Sequence, residues 1–229
     1  MFSDFIKEML RAIASSMQIP TIVVLLFLLA IAVIALGSLF AEWFTEHRRM
    51  KEKIPEVIDR FHMASLEDLD QTIEESGLLK RQKTALKALT SRIHLPEHSR
   101  EALARQLIFD EQSRYDKIVK WTDVITRIAP MFGLLGTLIP LGPGLIALGQ
   151  GDTKTLSASL LIAFDTTIAG LISAAIAFVI SSVRKRWYDG YLVGMETLME
   201  AILEKQTATL KSEDSQMNNE RKAGIYEKS

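Results

Sequence analysis

The chain has 229 residues, with 27 basic and 28 acidic side chains, a net charge of −1 and no cysteine. The lack of cysteine excludes disulfides and thiolate metal sites, and the basic residues form no patch typical of nucleic-acid binding. Charged residues are absent from 20–40 and 128–151, and Asp165 is the only one within 155–183. Each run is long enough for a membrane span, which needs about 20 apolar residues. We therefore predict an all-α integral membrane protein with three transmembrane helices.

The first two elements are predicted from their apolar pattern. Residues 1–18 place apolar side chains at helical spacing opposite charged ones. This pattern predicts an amphipathic helix that either lies on the outer membrane surface or packs on a protein neighbour. Residues 19–45 follow as transmembrane helix 1. Their length and the mixed charges before them indicate a retained anchor rather than a cleaved signal peptide.

The largest polar segment, 46–125, is predicted to be a cytoplasmic helical domain. Ser65 with Asp68 three residues later indicates a capping box that opens a helix over 66–75. A second helix is expected over about 78–93.

The remaining elements are also helical. No proline or glycine interrupts 97–129, so we predict one long helix that continues into the membrane. The chain should then pass through transmembrane helix 2 at 126–150, an outer turn at 151–154, transmembrane helix 3 at 155–183, a cytoplasmic extension at 184–211 and a disordered tail at 212–229. We expect the extension to pack against the helix that precedes transmembrane helix 2.

Basic residues predict the orientation in the membrane. They lie after the first span, before the second and after the third: His47, Arg48, Arg49, Lys51 and Lys53, then Lys117, Lys120 and Arg127, then Arg184, Lys185 and Arg186. Because positively charged flanks stay in the cytoplasm, the C-terminus should be cytoplasmic. The N-terminus and the 151–154 turn should face outward.

Asp165 is the first candidate site residue, because it lies near the middle of a span and none of the three charge-poor runs contains a basic residue to pair with it. A charged side chain at the bilayer centre costs about 2.5–3.5 kcal/mol on insertion scales, so such a residue is a functional-site hypothesis. Asp165 either carries an ion or a proton, or it holds neighbouring helices together through a hydrogen bond. Its position favours a coupling role or a subunit interface.

Three threonines form the second candidate site. Thr137 and Thr167 each lie about twelve residues from the outer end of their span, so antiparallel neighbours would bring them to one level. Thr166 and Thr167 differ by about 100° around the helix, so they cannot both face one lumen. Threonines in membrane helices also serve as interhelical contacts, and that alternative stays open.

Several other residues affect helix packing or are candidate ligands. Pro140 and Pro143 are predicted to break or kink the outer half of transmembrane helix 2, where the freed carbonyls could line an ion path. His94 and His98 are separated by Pro96, so we expect no metal site. A stripe of small residues, predicted to be a helix-packing surface, runs along transmembrane helix 3: Ala163, Thr166, Gly170, Ala174, Ala177 and Ser181.

Two motifs in the spans resemble those of a known family. Ala129-Pro130 followed by Gly133-Leu134-Leu135-Gly136-Thr137 is similar to the second-span motif of the MotA/TolQ/ExbB proton channel family. Thr166-Thr167 with Gly170-Leu171 is similar to its third-span motif. The three-span layout resembles the ExbB/TolQ branch.

The resemblance implies an ion-motive-force-driven motor (stator) subunit of the inner membrane. It implies a homopentamer around two copies of a single-span ExbD/TolR/MotB-like partner, with H⁺ or Na⁺ as the transported ion and no cofactor or enzymatic activity. Thr137 and Thr167 match the family's pore-facing threonines, and Pro130, Gly133 and Gly136 match its packing motif. Asp165 and the Pro140/Pro143 pair depart from the family pattern. The alternative function is a non-conducting membrane scaffold that organises partner proteins.

Overall fold

A computed structural model describes residues 2–44, 54–66 and 68–226, and these residues form seven α-helices without a β-strand. The helices are α1 (Phe2–Ser16), α2 (Gln18–Glu42), α3 (Ile54–Met63), α4 (Leu69–Glu75), α5 (Lys80–Thr90), α6 (Glu97–Gly149) and α7 (Thr153–Tyr226). Three of them, α2, α6 and α7, are long and apolar enough to cross a membrane. The prediction of an all-α protein with three candidate spans is confirmed.

The helices divide into two compact units. The span unit extends to Ala41 and includes Asp116–Arg186, and the helical unit comprises Glu42–Tyr115 and the chain from Trp187 onward. Both α6 and α7 contribute a segment to each unit. The long helix predicted to lead into transmembrane helix 2 is therefore present as the first half of α6.

In the span unit, α2 is apolar on all sides but buries only one stripe of side chains. Thr21, Leu25, Ala32 and Leu39 are the buried residues, and their spacing of four or seven places them on one face. Next to this stripe, partly buried Leu28 and Ile31 pack against a small core, which consists of Ile125, Ala129, Ala174 and Ala177. The rest of the α2 surface is available to lipid or to other chains.

The short helix α1 exposes several large apolar side chains. Phe5, Met9 and Ile13 each leave more than half of their surface uncovered by the chain itself. Large exposed apolar faces mark contacts with membranes or with other proteins. This exposed face therefore agrees with both predicted alternatives, in which the helix lies on the membrane surface or packs on another protein.

The proline-rich part of α6 remains helical. Pro130, Pro140 and Pro143 all lie inside the helix, which continues to Gly149, so the predicted break of transmembrane helix 2 is absent. Each proline removes one amide donor, which leaves the carbonyl four residues earlier without its usual partner. Membrane helices tolerate this loss where neighbouring groups or water contact the freed backbone.

The helical unit has its own apolar core. Helices α3, α4 and α5 bury residues such as Phe61, Ile73 and Leu86 against α7 residues such as Met195 and Ile202. Helix α3 was not among the predicted elements. Its buried residues Val57 and Phe61 lie four positions apart. A helix of only ten residues shows too few such apolar positions to be recognised from the sequence.

The two predicted helices of this unit are both shorter than expected. Ser65 donates a hydrogen bond to the Asp68 carboxylate at 2.6 Å and accepts one from the Asp68 amide at 3.2 Å. This reciprocal pair precedes α4, which begins only at Leu69. The second predicted helix is α5, which is bounded by Lys80 and Thr90.

Helices α6 and α7 pack together within the helical unit, as predicted for the extension of the third span. Arg100 is 2% exposed and donates hydrogen bonds to Gln206 Oε1 at 3.0 Å and Thr207 Oγ1 at 3.3 Å. The rings of Tyr115 and Tyr188 stack with centroids 4.2 Å apart. Polar and aromatic contacts therefore join the two helices.

Lys205 on α7 caps the C-terminal end of α3. Its ammonium group donates to the carbonyl oxygens of Phe61 at 2.5 Å and His62 at 3.2 Å, and also to that of Ala64. Carbonyls at a helix C-terminus lack intrahelical partners and attract cations. Partial burial lowers the pKa of Lys205.

Two sequence-based expectations concern the less regular parts of the chain. The tail 212–229 was expected to be disordered, but α7 continues to Tyr226. No proline interrupts this polar stretch, so a helix can propagate through it. The basic residues at 47–53, on which part of the predicted orientation rests, lie outside the described residues.

Candidate functional site

The candidate site is the contact between α6 and α7 in the span unit, which we call the α6–α7 seam. At Gly170 the two backbones approach so closely that a Cβ atom would lie 2.7 Å from the Ala129 carbonyl oxygen and 2.9 Å from Gly133 Cα. Only glycine fits at this position. Such small-residue contacts are the usual way in which membrane helices approach closely, because apolar burial gives little drive for association in lipid.

Two further contacts extend the seam towards the turn between α6 and α7. A Cβ atom on Gly136 would lie 2.5 Å from Thr166 Cβ, and one on Gly144 would lie 3.0 Å from Ser159 Cβ. At each of these levels a glycine of α6 faces a hydroxyl-bearing residue of α7. The seam therefore has a defined register over most of the two spans.

This register bears on several predicted site residues. Thr166 is 6% exposed and fits against Gly136, and its hydroxyl donates to the carbonyl oxygens of Ile162 at 2.9 Å and Ala163 at 3.0 Å. The prediction that Thr166 lines an ion pathway does not agree with this geometry. Gly133, Gly136 and Gly170 contact the neighbouring helix of the same chain, and their predicted role in coupling or at a subunit interface stays a prediction.

The other residues with a predicted packing or kink role differ in burial. All six members of the small-residue stripe are buried within one chain: Ala163, Thr166, Gly170, Ala174, Ala177 and Ser181. Of the prolines, Pro140 is buried, Pro130 is partly buried and Pro143 is exposed. Within one chain, Thr166 and Gly170 of this stripe lie against Gly136 and Gly133 of α6.

Thr137 and Thr167 lie at one level of the seam, on its edge. Each follows directly on one member of the Gly136–Thr166 contact, and both are partly buried. Thr137 Oγ1 donates to the Leu134 carbonyl oxygen at 2.7 Å, and Thr167 Oγ1 donates to that of Ala163 at 3.0 Å. Because each hydroxyl proton is used inside its own helix, the lone pairs of both oxygens remain available to accept.

Asp165 lies on the opposite edge of the seam from Thr167. It precedes Thr166 by one residue, or about 100° around the helix, and its side chain is exposed on the surface of the chain. Among the described residues no hydrogen bond or ion pair holds this carboxyl group. A group of this kind in a span is costly in contact with lipid, so another chain or water should cover it.

Sequence reasoning missed a polar cluster at the far end of the seam. Ser181 donates a short hydrogen bond to Asp123 Oδ1, and Lys185 Nζ lies 2.7 Å from Asp123 Oδ2. The signal was an acidic residue just before the second span and a serine and a lysine four residues apart at the end of the third. In the sequence analysis Lys185 serves only as a basic flank that predicts the orientation, and Asp123 has no predicted role.

The opposite end of the seam is a tight turn between α6 and α7. Gly151 has a φ of 82°, and Asp152 Oδ1 accepts hydrogen bonds from the amides of Lys154 and Thr155, each at 3.1 Å. Asp152 therefore caps the start of α7. Hydrogen bonds from the hydroxyl and the amide of Thr155 hold the pKa of Asp152 below its usual value.

Comparisons with known proteins bear on this region. The sequence description of the MotA/TolQ/ExbB proton channel family matches residues 59–197, which is more than half of the chain and includes the whole seam. No curated protein matches the chain. Within the part of the chain that the structure describes, no group of three or more His, Asp or Glu side chains could hold a metal ion.

Proposed function

Because the chain belongs to the MotA/TolQ/ExbB proton channel family, we propose that it is the channel-forming subunit of an ion-driven motor (stator) in the inner membrane. Ion flow along its spans would drive mechanical work outside the membrane. The observation that carries this proposal is the α6–α7 seam, which holds a pair of partly buried threonine hydroxyls, Thr137 and Thr167, at one level inside two candidate spans.

The threonines suit an ion pathway because their oxygens can still accept. A hydroxyl oxygen whose proton is donated to a backbone carbonyl can contact a hydrated proton or a sodium ion through its lone pairs. Polar groups in a span are retained where they face a water-filled cavity or another helix. On this proposal the edge of the seam that carries Thr137 and Thr167 faces the pore.

The complete pore requires further chains, because one copy places only two spans along the seam. We propose a homopentamer around two copies of a single-span partner of the ExbD/TolR/MotB type. Exposed Asp165 supports an assembly of this kind, since another chain would remove its carboxyl group from lipid. The basic flanks would lie in the cytoplasm, with the N-terminus outside.

Native mass spectrometry tests the assembly directly. The chain is co-expressed with the single-span protein, extracted in detergent and weighed as the intact complex. Five copies with two partner chains are expected. A monomer, a dimer or an assembly without the partner would contradict the stator proposal and favour the non-conducting scaffold.

The role of Thr167 is tested by ion flux into proteoliposomes that contain the complex. Thr167→Val removes the hydroxyl at nearly constant volume, so we expect lost flux with unchanged assembly. Thr167→Ser keeps the hydroxyl and should retain flux. A fully active valine variant would refute the pore assignment.

Asp165→Asn separates an ion role from a packing role. The amide keeps hydrogen-bonding capacity but cannot carry a proton or bind a cation as a carboxylate does. Lost flux with an intact oligomer would support a coupling role for Asp165. A dissociated oligomer would show that its role is to hold subunits together.

A further inference from the structure

The polar cluster at the end of the α6–α7 seam differs in chemistry from the rest of the seam. Between Ala129 and Gly144 the two helices meet through small residues and two hydroxyl-bearing side chains. At Asp123 they meet through charge, because Ser181 donates to one carboxylate oxygen and Lys185 lies 2.7 Å from the other. The side chains of Asp123 and Lys185 are 29% and 54% exposed, so water and ions can reach the pair.

Helix geometry places this pair on the same edge of the seam as the two threonines. Lys185 follows Thr167 by 18 residues, which is five full turns and about 27 Å along the axis. Asp123 precedes Thr137 by 14 residues, which leaves the two about 40° apart and about 21 Å along the axis. The four residues therefore lie along one edge, with the threonines near mid-span and the charged pair at the end.

The pair combines a carboxylate with a cation that belongs to the chain. Carboxylate oxygens are hard ligands that accept protons and alkali or alkaline-earth cations. Here the Lys185 ammonium occupies the place that an arriving ion would take, and Arg127 is close enough to act on Asp123 electrostatically. An ion that reaches Asp123 can replace Lys185, whose long side chain can swing into water.

We propose that Asp123 is the residue that accepts the transported ion at this end of the pathway, with Lys185 as its internal counter-cation. The inference rests on the proposed function, since it needs an ion pathway along the Thr137 and Thr167 edge. It adds a second site, about four to five helical turns from the threonines, through which ions enter or leave.

A purely structural ion pair would make a different prediction. Asp123→Asn and Lys185→Gln break the same contact, so a pair that only joins α6 to α7 should be harmed equally by either change. An ion-accepting carboxylate should be harmed by the loss of Asp123 alone. Lys185→Gln removes the competing cation, so it should shift the ion dependence of flux in the direction opposite to Asp123→Asn.

The test is ion flux into proteoliposomes that contain the full complex, driven in separate runs by a proton gradient and by a sodium gradient. We expect Asp123→Asn to reduce flux about tenfold or more, which corresponds to about 1.4 kcal/mol in the barrier. Lys185→Gln should lower the ion concentration that gives half-maximal flux, because no internal cation then competes for Asp123. Equal losses in the two variants, or unchanged flux in Asp123→Asn, would overturn the proposal.

The double variant Asp123→Asn/Lys185→Gln covers the case in which Asp123→Asn alone fails to assemble. It replaces the ion pair by two neutral amides, which leaves no unpaired lysine at the seam. Flux that stays low in the assembled double variant supports the ion-accepting role, and restored flux overturns it. Thr167→Val tests the ion pathway separately from the role of Asp123. If flux is lost in Thr167→Val but normal in Asp123→Asn, only the role of Asp123 is refuted.

Discussion

Gly170→Ala is the sharpest perturbation of the α6–α7 seam. The new methyl group would lie 2.7 Å from the Ala129 carbonyl oxygen, 2.9 Å from Gly133 Cα and 3.2 Å from the Gly133 nitrogen. All three neighbours are backbone atoms, so no side-chain rotation can make room. Ordinary contact begins at 3.4 Å, so the closest approach is too short by about 0.7 Å and the helices must separate.

Gly142→Ala is the matched control, because a Cβ atom at Gly142 has nothing within 4 Å. Both substitutions gain the same helix propensity, roughly 1 kcal/mol, so that gain cancels in the comparison. Overpacking of a close contact costs about 1–3 kcal/mol. For a chain of this size, that difference corresponds to about 2–12 °C in Tm.

The measurement is thermal unfolding of the purified full chain in one detergent, followed by tryptophan fluorescence. We expect Gly170→Ala to melt below both the unchanged protein and Gly142→Ala. If the two alanine variants melt together, the seam does not have the close register described here. This result would contradict the packing of Gly133, Gly136 and Gly170 within one chain.

Two further predictions concern the helical unit. Arg100→Ala leaves a cavity and an unpaired Gln206, so we expect the free energy of unfolding to fall by about 2–4 kcal/mol. Arg105 is exposed, so Arg105→Ala should change this free energy by less than about 1 kcal/mol. Similar melting temperatures of the two variants would contradict the role of Arg100. Lys205→Met removes the donor to the last carbonyls of α3, so the amides of α3 should exchange hydrogen faster, while exposed Lys211→Met should leave them unchanged. Equal exchange in the two lysine variants would show that the cap is unimportant.

Hydrophobic length and charge were enough to predict much of the fold. Three charge-poor runs, each longer than a bilayer requires, predicted the three candidate spans because a span must satisfy its backbone internally and expose apolar side chains. The lack of proline and glycine over 97–129 predicted the long first half of α6. The motif around Gly133 and Thr137 indicated the family that the comparison with known families then showed.

The faces of the spans could not be predicted in the same way. A helix that is apolar on every side has no pattern to show which side meets its neighbour. In the structure the choice follows from complementary shape, since Gly136 accommodates Thr166 and Gly170 fits only against bare backbone. That register buries Thr166, leaves Thr137 and Thr167 on the edge and exposes Asp165.

The sequence by itself determined the number of candidate spans, the helical class and the family, because these depend on composition and local periodicity. Only the tertiary structure decided which residues meet across long separations. It brought Asp123 to Lys185 and Lys205 to the end of α3, contacts that span 62 and 144 positions. Such pairs depend on helix register, which is set by the packing of many side chains together rather than by any local pattern.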